Sequence, residues 1–141
     1  MRAVLQRASR ASVVVDGAEV ASFDRQGIVA LVGVTHEDGP EQAQTIARKI
    51  ADLRVLDGER SVAETQAPVI VVSQFTLYAD TRKGRRPTWN QAAPRPVAEP
   101  LVDAVVDALR ERGLTVGTGV FGAHMDVTLT NNGPMTILLE T

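Results

Sequence analysis

In SVVVDGAEVASF, Ser12 to Phe23, two apolar runs flank Asp16-Gly17. That dipeptide suits the positive backbone angles of a two-residue turn, so the chain is predicted to open with a β-hairpin. GIVALVGV, Gly27 to Val34, is nearly all apolar and rich in β-branched residues, the pattern of a central strand covered on both faces. From Pro40 the period changes. Ala43, Ile46, Ala47, Ile50, Ala51 and Leu53 recur at helical spacing, and Pro40-Glu41 suits a first turn.

Residues 57–66, DGERSVAETQ, are polar and turn-rich, a connection with room for a short strand. PVIVVSQFTLY returns to a β run that loses its simple pattern at Ser73-Gln74, and YADTRKGRRPTWNQAAPRP follows as an exposed loop. A second helix carries Leu101, Val102, Val105 and Leu109 on one face, with Gly113 placed as its stop. Near the end NNGPMT, Asn131 to Thr136, separates two strand-like runs, DVTLT and ILLE. The whole is expected to be an α/β domain of the α+β type: a mixed, mostly antiparallel curved sheet with two packed helices. Residues 1–141 suit a single domain, and the pattern leaves the strand order open.

Composition narrows the function. No cysteine is present, which excludes disulfides and thiol chemistry. The opening, MRAVLQRASRASVVV, lacks the continuous apolar segment of a signal peptide or membrane span, and a cytoplasmic location is expected. A net charge of −2 argues against a protein that grips long nucleic acid through many phosphates. Two local basic groups stand out: Arg82, Lys83, Arg85 and Arg86, and a looser set of Arg2, Arg7 and Arg10. Such runs are usually solvated loops, but they can hold a short nucleic-acid end.

The candidate chemistry lies in three places. His36 and His124 have no ligand-like spacing, so no metal and no cofactor is expected. His124 as a base for Ser73 or Thr76 would make a general esterase, though a loop histidine is the preferred reading because no spacing supports a triad. Where the apolar strand presents Ser73, Gln74 and Thr76, a strand end near Phe75 and Thr76 would free their backbone N–H groups to face a carbonyl oxygen that turns negative; solvent-facing edge residues are the plainer alternative. GTGVFGAHM, Gly117 to Met125, combines glycines with Phe121 and Met125, which can stack on a nucleobase or fill a core. Gly133-Pro134 interrupts a ladder as either a trans turn or a cis bond.

Taken together, SQFTL at Ser73 to Leu77 and NNGPMT at Asn131 to Thr136 resemble the two signature motifs of the D-aminoacyl-tRNA deacylases. The likeness includes MRAVLQRASRASV, GIVALVGV, LYADTRKGRRP and GVFGAHMDVTLTNNGPMT. It implies a homodimer that hydrolyses the ester joining a D-amino acid, or glycine, to the terminal adenosine at the 3′ end of tRNA. It further implies that Gly133 and Pro134 form a cis bond inserted into the partner's pocket, where their carbonyls meet the substrate amino group and exclude L side chains. Phe75 and Thr76 would supply backbone contacts to the scissile carbonyl, while Ser73 and Gln74 shape the pocket. Phe121, Gly122, Ala123 and Met125 would border the adenosine. A water activated by the tRNA 2′-OH is favoured over the Thr76 hydroxyl as the attacking group, since a neutral threonine is a weak nucleophile. Residues 57–66 are shorter than the family usually carries, and Thr88-Trp89 stands where it more typically has Ser-Phe. The competing reading is a non-catalytic dimer that binds RNA ends through Arg82 to Arg86.

Overall fold

In the computed structural model, which describes residues 1–141, Asp16 and Gly17 take φ values of 49° and 78° and fold β1 (Arg2–Val15) back onto β2 (Ala18–Phe23). The remaining strands are β3 (Gly27–Gly33), β4 (Val69–Ser73), β5 (Val116–Thr118) and β6 (Asp126–Glu140). They form one sheet in the order β2-β1-β3-β4-β5, and β6 lies along the other edge of β1. The three pairings of β1 are antiparallel, whereas β3-β4 and β4-β5 are parallel, so the sheet is mixed as expected. Parallel neighbours need long crossovers. Here α1 (Pro40–Asp52) lies on the first crossover and α3 (Arg95–Glu111) on the second.

Both faces of the central strands are covered. Ile28, Ala30 and Val32 of β3 join Val69 and Val71 of β4 in the larger core, which includes Ile46 and Ile50 of α1. Val29, Ile70 and Val72 belong instead to a second core with Val13 and Phe23. Two cores sharing one sheet are why these strands read as unbroken apolar runs rather than alternating ones. Ile46 and Ile50 are fully buried, each burial contributing about 1.5–3 kcal/mol.

Three local outcomes differ from the pattern-based expectations. Residues 57–66 contain a one-turn helix, α2 (Val62–Thr65), instead of a strand, giving a third helix beside the two expected. Ser61 Oγ accepts from Glu64 N–H at 3.2 Å and Glu64 Oε2 accepts from Ser61 N–H at 2.7 Å. That capping box was visible as Ser61-x-x-Glu64. The second long helix starts at Arg95, inside the proline-rich stretch assigned to the loop, because a proline in the first turn needs no donor. It ends as anticipated, with Gly113 at φ 78° and its N–H on Arg110 O at 2.8 Å.

The third concerns the end of the chain, where two strands and a turn were anticipated. One strand, β6, runs throughout. Its register against β1 passes from Gln6↔Thr136 to Ala8↔Asn131, so Asn132 to Met135 all stand opposite Arg7. NNGPMT is therefore an enlarged bulge, pushed out of a ladder that continues on both sides. No helix is long and apolar enough to cross a membrane.

Candidate active site

β4 ends at Ser73, two residues before Phe75, the point at which sequence reasoning placed its end, and the chain turns into a 3-10 helix, Phe75–Tyr78. Gln74 N–H still reaches back to Val32 O at 2.7 Å, and Leu77 N–H bonds Gln74 O at 3.2 Å. The amides of Phe75 and Thr76 head this turn, where no acceptor precedes them within it. The turn lies directly on β3. A Cβ at Gly33 would stand 2.8 Å from Gln74 O and 3.0 Å from Leu77 Cβ, so the close approach requires glycine. Arg2 secures the far end, donating to Leu77 O at 3.1 Å and to Glu140 at 2.7 Å with its guanidinium 4.6 Å from the centre of the Tyr78 ring. Burial, reinforced by nearby Asp38, pushes the Tyr78 hydroxyl up to about 12.

A cleft of about 280 Å³ opens between this corner and the loop after β5. Ser73, Gln74 and Phe75 line one wall; Phe121, Gly122, Ala123, His124 and Met125 line the other. A turn closed by Ala123 N–H on Val120 O at 3.1 Å shapes the second wall, with Gly122 at φ 74°. Gly119 admits Met125, whose sulfur lies 2.4 Å from where a Cβ would be. Arg95 covers Phe121, its guanidinium 5.6 Å from the ring centre, and is forked onto Glu99 at 2.7 and 3.1 Å. These side-chain hydrogen bonds hold Glu99 below the usual carboxylate range and raise Arg95.

The Thr76 hydroxyl accepts from the Gln74 side-chain amide, with no histidine or carboxylate hydrogen-bonded to it. His124 shares the cleft with Ser73 but makes no hydrogen bond to Ser73 or Thr76; the His36 ring bonds Asn90 O at 2.9 Å. The nucleophile-base pair of a general esterase is not assembled.

Gly133 and Pro134 do not line this cleft. Their peptide bond is cis, and both residues are exposed on the bulge of β6. Beneath it Arg7, only 8% exposed, donates to Asn132 O at 2.9 Å, Gly133 O at 3.0 Å and Val55 O at 2.9 Å. Asp57 Oδ1 lies 3.4 Å from the same guanidinium. Gln6 spans the ends of the bulge, donating to Asn131 and accepting from Thr136.

The D-Tyr-tRNA(Tyr) deacylase model matches residues 4–140. The chain belongs to this deacylase family. The D-aminoacyl-tRNA deacylase of Beutenbergia cavernae is 68% identical over 140 residues, covering 99% of each chain. That of Thermobifida fusca is 63% identical with the same coverage. The solved structure of a c-Myc DNA unwinding element binding protein superposes with TM-score 0.91 at 38% identity, over 100% of this chain and 99% of that one. A probable eukaryotic D-amino acid tRNA deacylase shares the fold, with TM-score 0.86 at 16% identity, over 98% and 97% of the two chains.

Both segments that suggested the deacylases fall inside the matched range, one as the cleft wall and the other as the bulge. Thr88-Trp89 stands beside the cleft without lining it. Trp89 packs edge-on against Phe75 with ring centres 5.3 Å apart and planes at 73°. Sequence reasoning grouped Arg7 with Arg2 and Arg10 as a loose basic set able to hold a nucleic-acid end; the structure instead buries it against backbone carbonyls beneath the bulge. Its signal was positional: Ala3, Leu5 and Arg7 share one face of β1, and all three are buried.

Proposed function

We propose that this member of the deacylase family, acting as one domain over residues 1–141, hydrolyses the ester joining a D-amino acid or glycine to the terminal adenosine of tRNA. The observation that carries the reading is the corner at Ser73–Tyr78: a strand stops at the cleft edge and two amides head the turn there without acceptors inside it. As the carbonyl oxygen gains charge, the N–H groups of Phe75 and Thr76 stabilise it, each such donor being worth about 3 kcal/mol of barrier. Water, deprotonated by way of the tRNA 2′-OH, adds to the carbonyl carbon. Collapse of the tetrahedral intermediate breaks the bond to the ribose oxygen, which takes up a proton, releasing the amino acid and intact tRNA. Ser73 and Gln74 shape the acyl pocket, and Phe121, Gly122, Ala123 and Met125 border the adenine and ribose.

Selection by hand comes from a second copy of the chain. The Gly133-Pro134 bulge stands outside its own cleft, and in the homodimer it enters the partner's. Arg7 occupies one side of Gly133 O and fixes its direction. The remaining lone pair and Pro134 O then meet the substrate amino group, leaving no space for an L side chain. D-aminoacyl and L-aminoacyl forms of one tRNA, incubated with the protein, test this. Selective loss of the D ester is expected. Binding without ester loss would leave a non-catalytic RNA-end binder, and equal loss of both esters would remove the role given to the bulge.

A further inference from the structure

We infer that the exposed loop from Thr81 to Asn90 is a phosphate handle, in which Lys83, Arg85 and Arg86 neutralise phosphates of the acceptor strand leading to the terminal adenosine. The inference rests on the deacylase reading and adds to it a second contact region on the same substrate.

Charge distribution is the first support. Removing Arg82, Lys83, Arg85 and Arg86 from a net charge of −2 leaves −6 on the rest of the chain. Such a body repels a polyanion everywhere except where cations gather. Thr81 to Asn90 are all exposed. Asp80 occupies Arg82 through a fork at 2.9 and 2.6 Å. Lys83, Arg85 and Arg86 take part in none of the ion pairs of the structure. Three uncompensated cations thus lie within four residues.

Placement is the second. Asp80 and Thr88 exchange backbone hydrogen bonds at 2.9 and 3.1 Å, closing the base of the loop. Its last part is tied down by the Trp89 contact with Phe75, by His36 on Asn90 O and by Thr35 Oγ1 on Gln91 O at 2.6 Å. Phe75 lines the cleft. The loop is therefore anchored beside the cleft that takes the ester. An aminoacyl-adenosine carries no phosphate and gives these cations nothing to bind; a polynucleotide does.

The test compares wild type with the combined variant Lys83→Ala, Arg85→Ala, Arg86→Ala on D-aminoacyl-tRNA and on D-aminoacyl-adenosine across a salt series. Single-strand and duplex phosphates contribute about 0.7 and 0.9 to the logarithmic salt slope, so three lost contacts flatten the kcat/KM slope on tRNA by about 2.1 to 2.7. Between about 50 and 200 mM salt the wild type then loses roughly 18- to 42-fold more activity than the variant. Hydrolysis of the adenosine ester stays unchanged. The charge-preserving variant Arg85→Lys, Arg86→Lys keeps the wild-type slope. Equal slopes for wild type and the alanine variant overturn the handle, as does equal loss on both substrates or a lysine variant as flat as the alanine one. Binding of uncharged tRNA, followed over the same salts, reads the handle separately. If the wild type cleaves neither ester, the hydrolase reading fails, and that binding slope alone decides the inference.

Discussion

Replacing Arg7 by methionine keeps the side-chain stem and removes the guanidinium that bonds Asn132 O, Gly133 O and Val55 O. The first two carbonyls lie in partly buried bonds and can regain water; the bond to Val55 O is buried. An orphaned buried acceptor costs about 1–3 kcal/mol. Relief of a nearly buried charge offsets part of this. The expected destabilisation is therefore about 2 kcal/mol, a fall in Tm of about 6 °C for a chain of this size. The effect on catalysis is expected to exceed the effect on folding. Without Arg7 the bulge loses its central support, and a displacement of about 1 Å in a substrate-facing group can cost about 100-fold in rate. Urea unfolding measures the first effect, and single-turnover deacylation of D-aminoacyl-tRNA at 25 °C, far below Tm, measures the second. Arg7→Lys supplies a single ammonium in place of the planar fork and should fall between. A methionine variant destabilised by less than about 0.5 kcal/mol with kcat/KM within twofold of wild type would refute the support role.

Gly33→Ala brings a Cβ to 2.8 Å from Gln74 O and 3.0 Å from Leu77 Cβ; overpacking of this kind costs about 1–3 kcal/mol, and denaturation with parallel kinetics should show kcat falling with stability. By contrast, a Cβ at Gly133 meets only Asn131 Nδ2 at 3.8 Å, so Gly133→Val should melt near the wild type while losing at least about tenfold in kcat/KM under the proposal that the bulge enters a partner's cleft. Thr76→Ala and His124→Ala should each keep substantial activity, since no base contacts the Thr76 hydroxyl; complete inactivity of either folded variant would point to side-chain catalysis. Asp80 is held at about 2, against an ordinary 3.8, by the Arg82 side chain and then by the Arg82 N–H. Because the folded value is depressed, its contribution to the loop is complete above 3.8 and is lost as pH falls toward about 2. A carboxylate NMR titration with its midpoint near 3.8 would contradict the fork.

What was legible in the chain was whatever a few neighbouring residues settle among themselves. Asp16-Gly17 specifies its turn because those two residues tolerate positive φ; the spacing of Ile46 and Ile50 specifies a buried helix face; Gly113 ends α3 for the same local reason that Gly17 makes a hairpin. The abrupt polar step at Ser73-Gln74 marked the end of a strand within two residues, and the Gly-Pro pair marked an interruption. Tertiary structure decided the rest. The cleft joins Ser73 to Phe121 because β4 and β5 are paired in parallel, a choice made by packing across α3 and absent from either segment. NNGPMT became a bulge and not a turn because β1 is long enough to pair with β6 on both sides of it, and Arg7 became its support because the pleat points that residue inward beneath the extruded carbonyls. Periodicity and turn chemistry act within a few residues, whereas strand partners and buried charges are chosen by the contacts of the whole molecule.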